Sequence, residues 1–222
     1  MENKKLKDFE IEELEFMIPQ IEKMYNFEFD KDKTNIVNSF EELCNLIIDK
    51  INLKNVESCT SQQAFYKLRK SLVETKIIGK ENLETETELK VLFPRKNRKV
   101  LIQKVEKEVS FKLNILKAPE FITIPLFAIG IISFILLFIY CKLGLIGILI
   151  SVIGLYFCKW FGNELKLKNV KELVEKITYE NYLSVRTEKN TINKKELKNV
   201  LTNWFSENTG IEKEKLKMAS FE

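Results

Sequence analysis

The stretch FIYCKLGLIG, residues 138–147, places one lysine inside an otherwise uncharged apolar run. Between Phe121 and Cys158 the only charged side chain is Lys142. As a single helix these 38 residues would extend about 57 Å, against a bilayer hydrocarbon core of roughly 30 Å. Two helices of roughly 18 to 20 residues match that thickness, with YCKLG as their connection. A lysine at the bilayer centre costs about 2.5–3.5 kcal/mol, whereas at a turn it lies among headgroups at little cost. A buried pair in a soluble core is the poorer solution. Both helices are apolar on every face, and 222 residues hardly supply the shell they would need. The run also lies in mid-chain, behind the polar stretch MENKKLKDFEIEELE, unlike a signal peptide. The sequence therefore predicts a transmembrane helical hairpin.

Basic residues predict its orientation. Arg95, Lys96, Arg98, Lys99, Lys104, Lys107, Lys112 and Lys117 precede the first span, and Lys159, Lys166, Lys168 and Lys171 follow the second. The turn holds Lys142 alone. Positive residues stay on the cytoplasmic side, so two spans in the inner (plasma) membrane with both termini cytoplasmic are expected. Trp160 and Phe161, beside Lys159, read as an interfacial anchor. The basic run suits orientation and headgroup binding. A nucleic-acid site is not expected, because the net charge is only +4 and no aromatic residues interleave to stack on bases.

Within the second span Gly144, Gly147, Ser151, Gly154 and Cys158 recur every three or four residues. That spacing gathers the smallest side chains into one stripe, where another backbone can approach. Gly130 and Ser133 are partial counterparts on the first span. The stripe is read as packing the two spans together, with homo-oligomer formation as the alternative.

The flanking segments carry helical periodicity and little strand-like alternation, giving an all-α fold class: a two-helix transmembrane hairpin with small cytoplasmic helical modules on both sides. Four segments follow: an acidic helical module at 1–54, a second module with a basic juxtamembrane helix at 55–117, the hairpin at 118–162, and a C-terminal helical module at 163–222. Ser39-Phe-Glu-Glu42 is a capping box opening a helix with Phe40, Leu43, Cys44, Ile47, Ile48 and Ile51 on one face. Ala64, Phe65, Leu68 and Leu72 mark a second helix. Val170, Leu173, Val174 and Ile177 repeat the first pattern; Leu197, Val200, Leu201, Trp204 and Phe205 repeat the second. SFEELCNLIIDKI (39–51) thus matches NVKELVEKI (169–177), and AFYKLRKSLVETKIIGKENLETETEL (64–89) matches LKNVLTNWFSENTGIEKEKLKMASF (197–221), an internal repeat.

NKKELKNVLTNWFSENTGIEKEKLKMASFE (193–222) resembles the first helix and following loop of an acyl carrier protein. ELEFMIPQIEKMYNFEFDKDKTNIVNSFEELCNLIIDKI (13–51) resembles such a carrier from its second helix to its last. The resemblance implies small helical bundles with an acidic docking face. It departs from the family at the phosphopantetheine serine, where the ungapped match places Ile11. Lys70-Ser71-Leu72 is the nearest lookalike, with lysine in place of aspartate. Pro19 falls inside the presumed second helix, where it would kink or start it. The resemblance therefore implies degenerate modules that carry no prosthetic group.

Other chemistry is not expected either. The chain has no histidine, which removes imidazole acid–base relays, Ser-His-Asp triads and histidine metal sites. Cys44, Cys59, Cys141 and Cys158 form no C-x-x-C, and no phosphate-cradling glycine loop occurs. Catalytic, cofactor and metal residues are all predicted to be none. Residues 1–50 hold 7 basic and 13 acidic side chains and residues 95–117 hold 8 and 2, so the charge divides along the chain. Abundant lysine, asparagine and isoleucine suit an AT-rich bacterial genome.

The expected function is that of a membrane-anchored, non-enzymatic interaction or adaptor protein, with the membrane and a cytoplasmic or membrane protein as partners. An accessory subunit of a membrane lipid or acyl-transfer system is the alternative. A small self-associating membrane protein, such as an immunity or toxin-like component, is a third reading.

Overall fold

The computed structural model describes residues 4–29, 37–79 and 83–221, apart from the side chains of Lys159 and Phe161. Half of the interfacial anchor read from the sequence therefore lies outside the described residues. The fold is mostly helical. In chain order come β1 (Lys4–Lys5), α1 (Asp8–Tyr25), α2 (Phe40–Lys50), β2 (Lys54–Asn55), α3 (Thr60–Glu74), α4 (Leu89–Leu92), α5 (Arg98–Val109) and β3 (Leu116–Lys117). There follow α6 (Glu120–Leu136), α7 (Cys141–Phe161), β4 (Glu164–Leu165), α8 (Val170–Glu180), α9 (Tyr182–Val185), β5 (Thr191–Ile192), α10 (Lys194–Thr209), α11 (Lys213–Lys217) and β6 (Ala219–Ser220). Two compact units result: Met1–Leu68 with Val174–Glu222, and Arg69–Leu173.

The first unit is assembled from both ends of the chain. β1 runs parallel to β6, pairing Lys4 with Ala219 and Lys5 with Ser220. The apolar faces of α1 (Leu14, Met17, Ile21, Tyr25), α2 (Phe40, Leu43, Cys44, Ile47) and α10 (Leu197, Leu201, Trp204, Phe205) share one core. Phe40 meets Phe205 edge to face at 5.4 Å. α1 runs through Pro19 without interruption. Lys215 Nζ donates to the Glu10 carboxylate at 2.7 Å, and the Lys7 amide donates to the same group at 2.8 Å, tying α11 to the start of α1.

Elsewhere in this unit a buried arginine organises the chain around β2 and β5. The Arg186 guanidinium donates to Thr191 Oγ1 (3.0 Å), Thr60 Oγ1 (2.7 Å), Ser58 Oγ (2.9 Å), and the carbonyls of Val56 (3.0 Å) and Ser58 (3.3 Å). Each of these bonds ends on a neutral oxygen, so the charge is stabilised by dipoles and by the Tyr182 ring beneath it, at 5.7 Å from the ring centre.

In the second unit, β3 and β4 form an antiparallel clasp pairing Leu116 with Leu165 and Lys117 with Glu164. The chain thus enters α6 and leaves α7 side by side.

Each unit carries the same local bonds, which gives the internal repeat a structural counterpart. The Phe29 amide donates to the Glu22 carboxylate at 2.6 Å, just past left-handed Asn26. The Leu113 amide donates to the Glu106 carboxylate at 2.9 Å, just past left-handed Ser110. Ser39 accepts from the Glu42 amide at 3.2 Å, and Asn169 from the Glu172 amide at 3.0 Å. The Phe221 amide donates to the Asn38 carbonyl, and the Leu89 amide to the Lys168 carbonyl, both at 2.9 Å. Thr209 bonds back to the Phe205 carbonyl before left-handed Gly210, and Thr75 to the Ser71 carbonyl before left-handed Lys76. In the second unit these features follow chain order, from Thr75 to Glu172. In the first, Thr209 and Phe221 come last in the chain although they occupy the places of Thr75 and Leu89. The two sets are related by cyclic permutation.

Two outcomes test this unit. Replacing Arg186 with Met removes a charged donor that makes five hydrogen bonds, although the Val56 carbonyl keeps the Ser58 amide and the Ser58 carbonyl keeps Asn193 Nδ2. A hydrogen bond to a charged group is worth about 1.5–3 kcal/mol. We expect Arg186→Met to lose about 2–5 kcal/mol in denaturant unfolding. Arg186→Lys should recover little, because an ammonium offers three donors without the planar fork. Second, the hydrogen bond from Lys215, followed by that from the Lys7 amide, holds the Glu10 carboxyl below its ordinary value. The stability it provides is present above the unfolded carboxyl pKa, about 4.3, and is lost as pH falls through the lower folded value. Glu10→Gln should therefore weaken the protein by about 1–2 kcal/mol at neutral pH and flatten the acid limb of the stability profile.

Candidate functional site

The site that distinguishes this chain is the α6–α7 pair, and its physical signature is inverted burial. Ser133 and Ser151, hydroxyls in the middle of the two helices, are only 6% and 4% exposed. The surrounding Phe, Ile and Leu side chains point outward, among them Phe127, Ile131, Phe134, Leu145, Leu149 and Phe157, all more than half exposed. Soluble domains place such residues the other way round.

Small residues make the close approach possible. A Cβ on Gly154 would lie 2.8 Å from the Leu126 side chain, and one on Gly130 2.8 Å from Ser151 Oγ. On Gly147 it would overlap Ser133 Oγ at 2.0 Å, and on Gly144 it would meet the Leu137 backbone at 2.6 Å. The contacts run in opposite senses along the two helices, so the pair is antiparallel. Ser151 Oγ donates to the Leu126 carbonyl at 2.8 Å, satisfying the hydroxyl inside the pair. Of the sequence-predicted stripe, Gly144, Gly147, Ser151 and Gly154 thus meet α6 or the turn that follows it. Cys158 is half-buried and its thiol is free.

Below the pair, the second unit braces the exit of α7. The last carbonyls of a helix have no intrahelical partner and favour cations. Lys99 Nζ donates to the Trp160 carbonyl at 2.9 Å, the Arg98 guanidinium donates to the Asn163 carbonyl, and Asn163 Nδ2 donates to the Arg95 carbonyl at 3.0 Å. Arg98 Nε also donates to the Phe93 carbonyl at 2.9 Å. Gly162 passes so close to Lys117 and Ala118 that a Cβ there would lie 2.8 Å from their linking peptide. Sequence reading treated Arg98 and Lys99 as two members of a basic run. Nothing in their local sequence separates these bracing residues from their neighbours.

The residues considered for other chemistry lie apart. Ser71 is fully buried within α3, and Ile11 lies half-buried in the first turns of α1, with no hydroxyl at that place. Burial pushes the Cys44 thiol up to about 12, so it stays protonated at neutral pH. Cys59 and Cys141 are exposed and free. Among the described residues no three His, Cys, Asp or Glu side chains gather as a metal site. One helix, over Cys141–Cys158, is long and apolar enough to cross a membrane, and Glu120–Leu136 is a shorter apolar helix. The chain matches no family model, no curated protein and no solved structure.

Gly147→Leu should force the helices apart and cost on the order of 1–3 kcal/mol, whereas Leu149→Ala, on the outward face, should change little. Protease resistance and detergent-gel mobility of the two variants check this. Equal behaviour would show that the stripe does not set the packing.

Proposed function

We propose that the protein is an integral membrane protein of the inner membrane, a two-span hairpin that holds degenerate carrier-like helical modules at the cytoplasmic face for protein interaction rather than catalysis. The single observation that carries this reading is the inverted burial of α6 and α7. In water their outward Phe, Ile and Leu side chains would form an exposed apolar surface far beyond what soluble monomers tolerate; in lipid the same surface is at home. α7 rises about 31 Å, a full hydrocarbon thickness, and α6 about 25 Å. The apolar turn residues Leu137 to Tyr140 extend the reach of the shorter helix. The antiparallel arrangement leaves Lys142 at the turn, exposed, where it reaches headgroups instead of hydrocarbon. The basic residues gather beside the clasp of β3 and β4, which supports a cytoplasmic position for both ends of the hairpin.

The second reading, an accessory subunit of a lipid or acyl-transfer system, is favoured by a groove of about 760 Å³ in the first unit, lined by Ile11, Leu14, Ile18, Phe29, Leu43 and Phe221. Glu15, Glu22 and Glu28 also line it, so it is less apolar than a closed lipid pocket. Self-association through the glycine stripe is less favoured, because those glycines already face α6.

The chain's own cysteines test the topology. Cys141 lies at the turn and Cys59 in the first unit, both exposed. A membrane-impermeant maleimide applied to intact cells should label Cys141 and spare Cys59, with Cys141→Ala and Cys59→Ala variants assigning the signal. The protein should also stay in the membrane pellet after alkaline carbonate. Labelling of Cys59 from outside would sink the cytoplasmic assignment, and release by carbonate would sink the membrane reading itself.

A further inference from the structure

We propose that the corner formed by α4, the turn Pro94 to Asn97 and the start of α5 binds the phosphate of anionic phospholipids in the cytoplasmic leaflet, with Arg95 and Lys96 as its cationic contacts. This rests on the membrane reading above and adds to it a ligand class and a location.

Position comes first. The turn and the start of α5 are fixed to the exit of α7 by three bonds: Lys99 to the Trp160 carbonyl, Arg98 to the Asn163 carbonyl, and Asn163 Nδ2 to the Arg95 carbonyl. A turn braced against the last residues of a spanning helix sits at headgroup depth. Trp160, 72% exposed at that exit, is a residue type that settles at the membrane interface.

Availability comes next. Arg98 and Lys99 are engaged by backbone carbonyls, and nearby Glu88 is paired with Lys90 at 2.8 Å. Arg95 and Lys96 are exposed and carry no ion pair among the described residues. Burial, and then the neighbouring Arg95, lower the Arg98 guanidinium below the ordinary arginine value. An anion seated between these cations relieves that repulsion.

The apolar flanks agree. Val91 and Val100, on either side of the turn, are 65% and 56% exposed. Apolar side chains beside unpaired cations suit a surface whose cations meet phosphate while its methyl groups meet the acyl boundary.

Full-length protein in detergent, titrated with phosphatidylglycerol or phosphatidylcholine and read by native mass spectrometry, tests the assignment. The wild type should retain phosphatidylglycerol preferentially, and Arg95→Gln with Lys96→Gln should reduce that preference about tenfold. Lys194→Gln with Lys217→Gln makes the same change of net charge in the first unit and should leave the preference intact. Equal loss in both double variants, or loss in neither, overturns the site. Displacement of the lipid by soluble glycerol phosphate at matched concentration overturns the lipid as its source in favour of free phosphate. No preference in the wild type overturns the inference, while the carbonate result judges the membrane reading separately.

Discussion

Because Gly144, Gly147 and Gly154 carry no side chain, α7 comes close enough to α6 for the Ser151 hydroxyl to reach the Leu126 carbonyl. On the membrane reading proposed above, apolar contact would give the pair no net drive, so its association would depend on close van der Waals packing and on hydroxyls that find partners. Both depend on the same small residues. Once they fix the pair, the apolar side chains can only face outward, and the chain must leave α7 beside the point where it entered α6. The clasp of β3 and β4 and the tight passage of Gly162 against Lys117 follow from that return.

Local features of this fold were legible in the sequence because their causes are local. The Ser39 cap on the Glu42 amide forms as its spacing predicts, while the Glu42 carboxylate takes the Asn38 amide, one residue before the cap; the facing residues of α2 and α10 are those of the periodic pattern. The apolar run with Lys142 at its centre reads as two helices because length and charge each demand a break there. The small-residue stripe was legible as a packing face for the same reason. Its identity as a set of contacts with Ser133, Leu126 and Leu137 depends on how α6 is placed.

What was hidden is non-local. Arg186 looks like any surface arginine in LSVRTEKN, yet its partners Val56, Ser58 and Thr60 lie more than a hundred residues earlier. The chain alone gives no sign that α11 and α1, at opposite ends, meet through Lys215 and Glu10. The repeat was visible as two pairs of similar strings. Its cyclic order was not read, although the Glu22 and Glu106 clamps sit in similar strings, IEKMYNFEF (21–29) and VEKEVSFKL (105–113). Each clamp works by geometry: a helix ends in a left-handed residue, the chain doubles back, and a glutamate one turn inside the helix meets an amide that would otherwise lack a partner.

The brace at the exit of α7 joins these two kinds of information. A helix end leaves carbonyls that need donors, and water is not the only source. Here Lys99 supplies the Trp160 carbonyl from α5 and Arg98 holds the Asn163 carbonyl just past the helix, so residues that sequence analysis counts only as positive charge also fix the exit of α7. The consequence is a division of labour within one basic run. The cations consumed by carbonyls fix the turn in place, and the neighbours left over, Arg95 and Lys96, inherit that fixed position. An orienting charge on a flexible segment would feel the leaflet only as a diffuse field. On the membrane reading proposed above, a charge on this braced turn would meet the leaflet at one depth, which is what recognition of a headgroup requires.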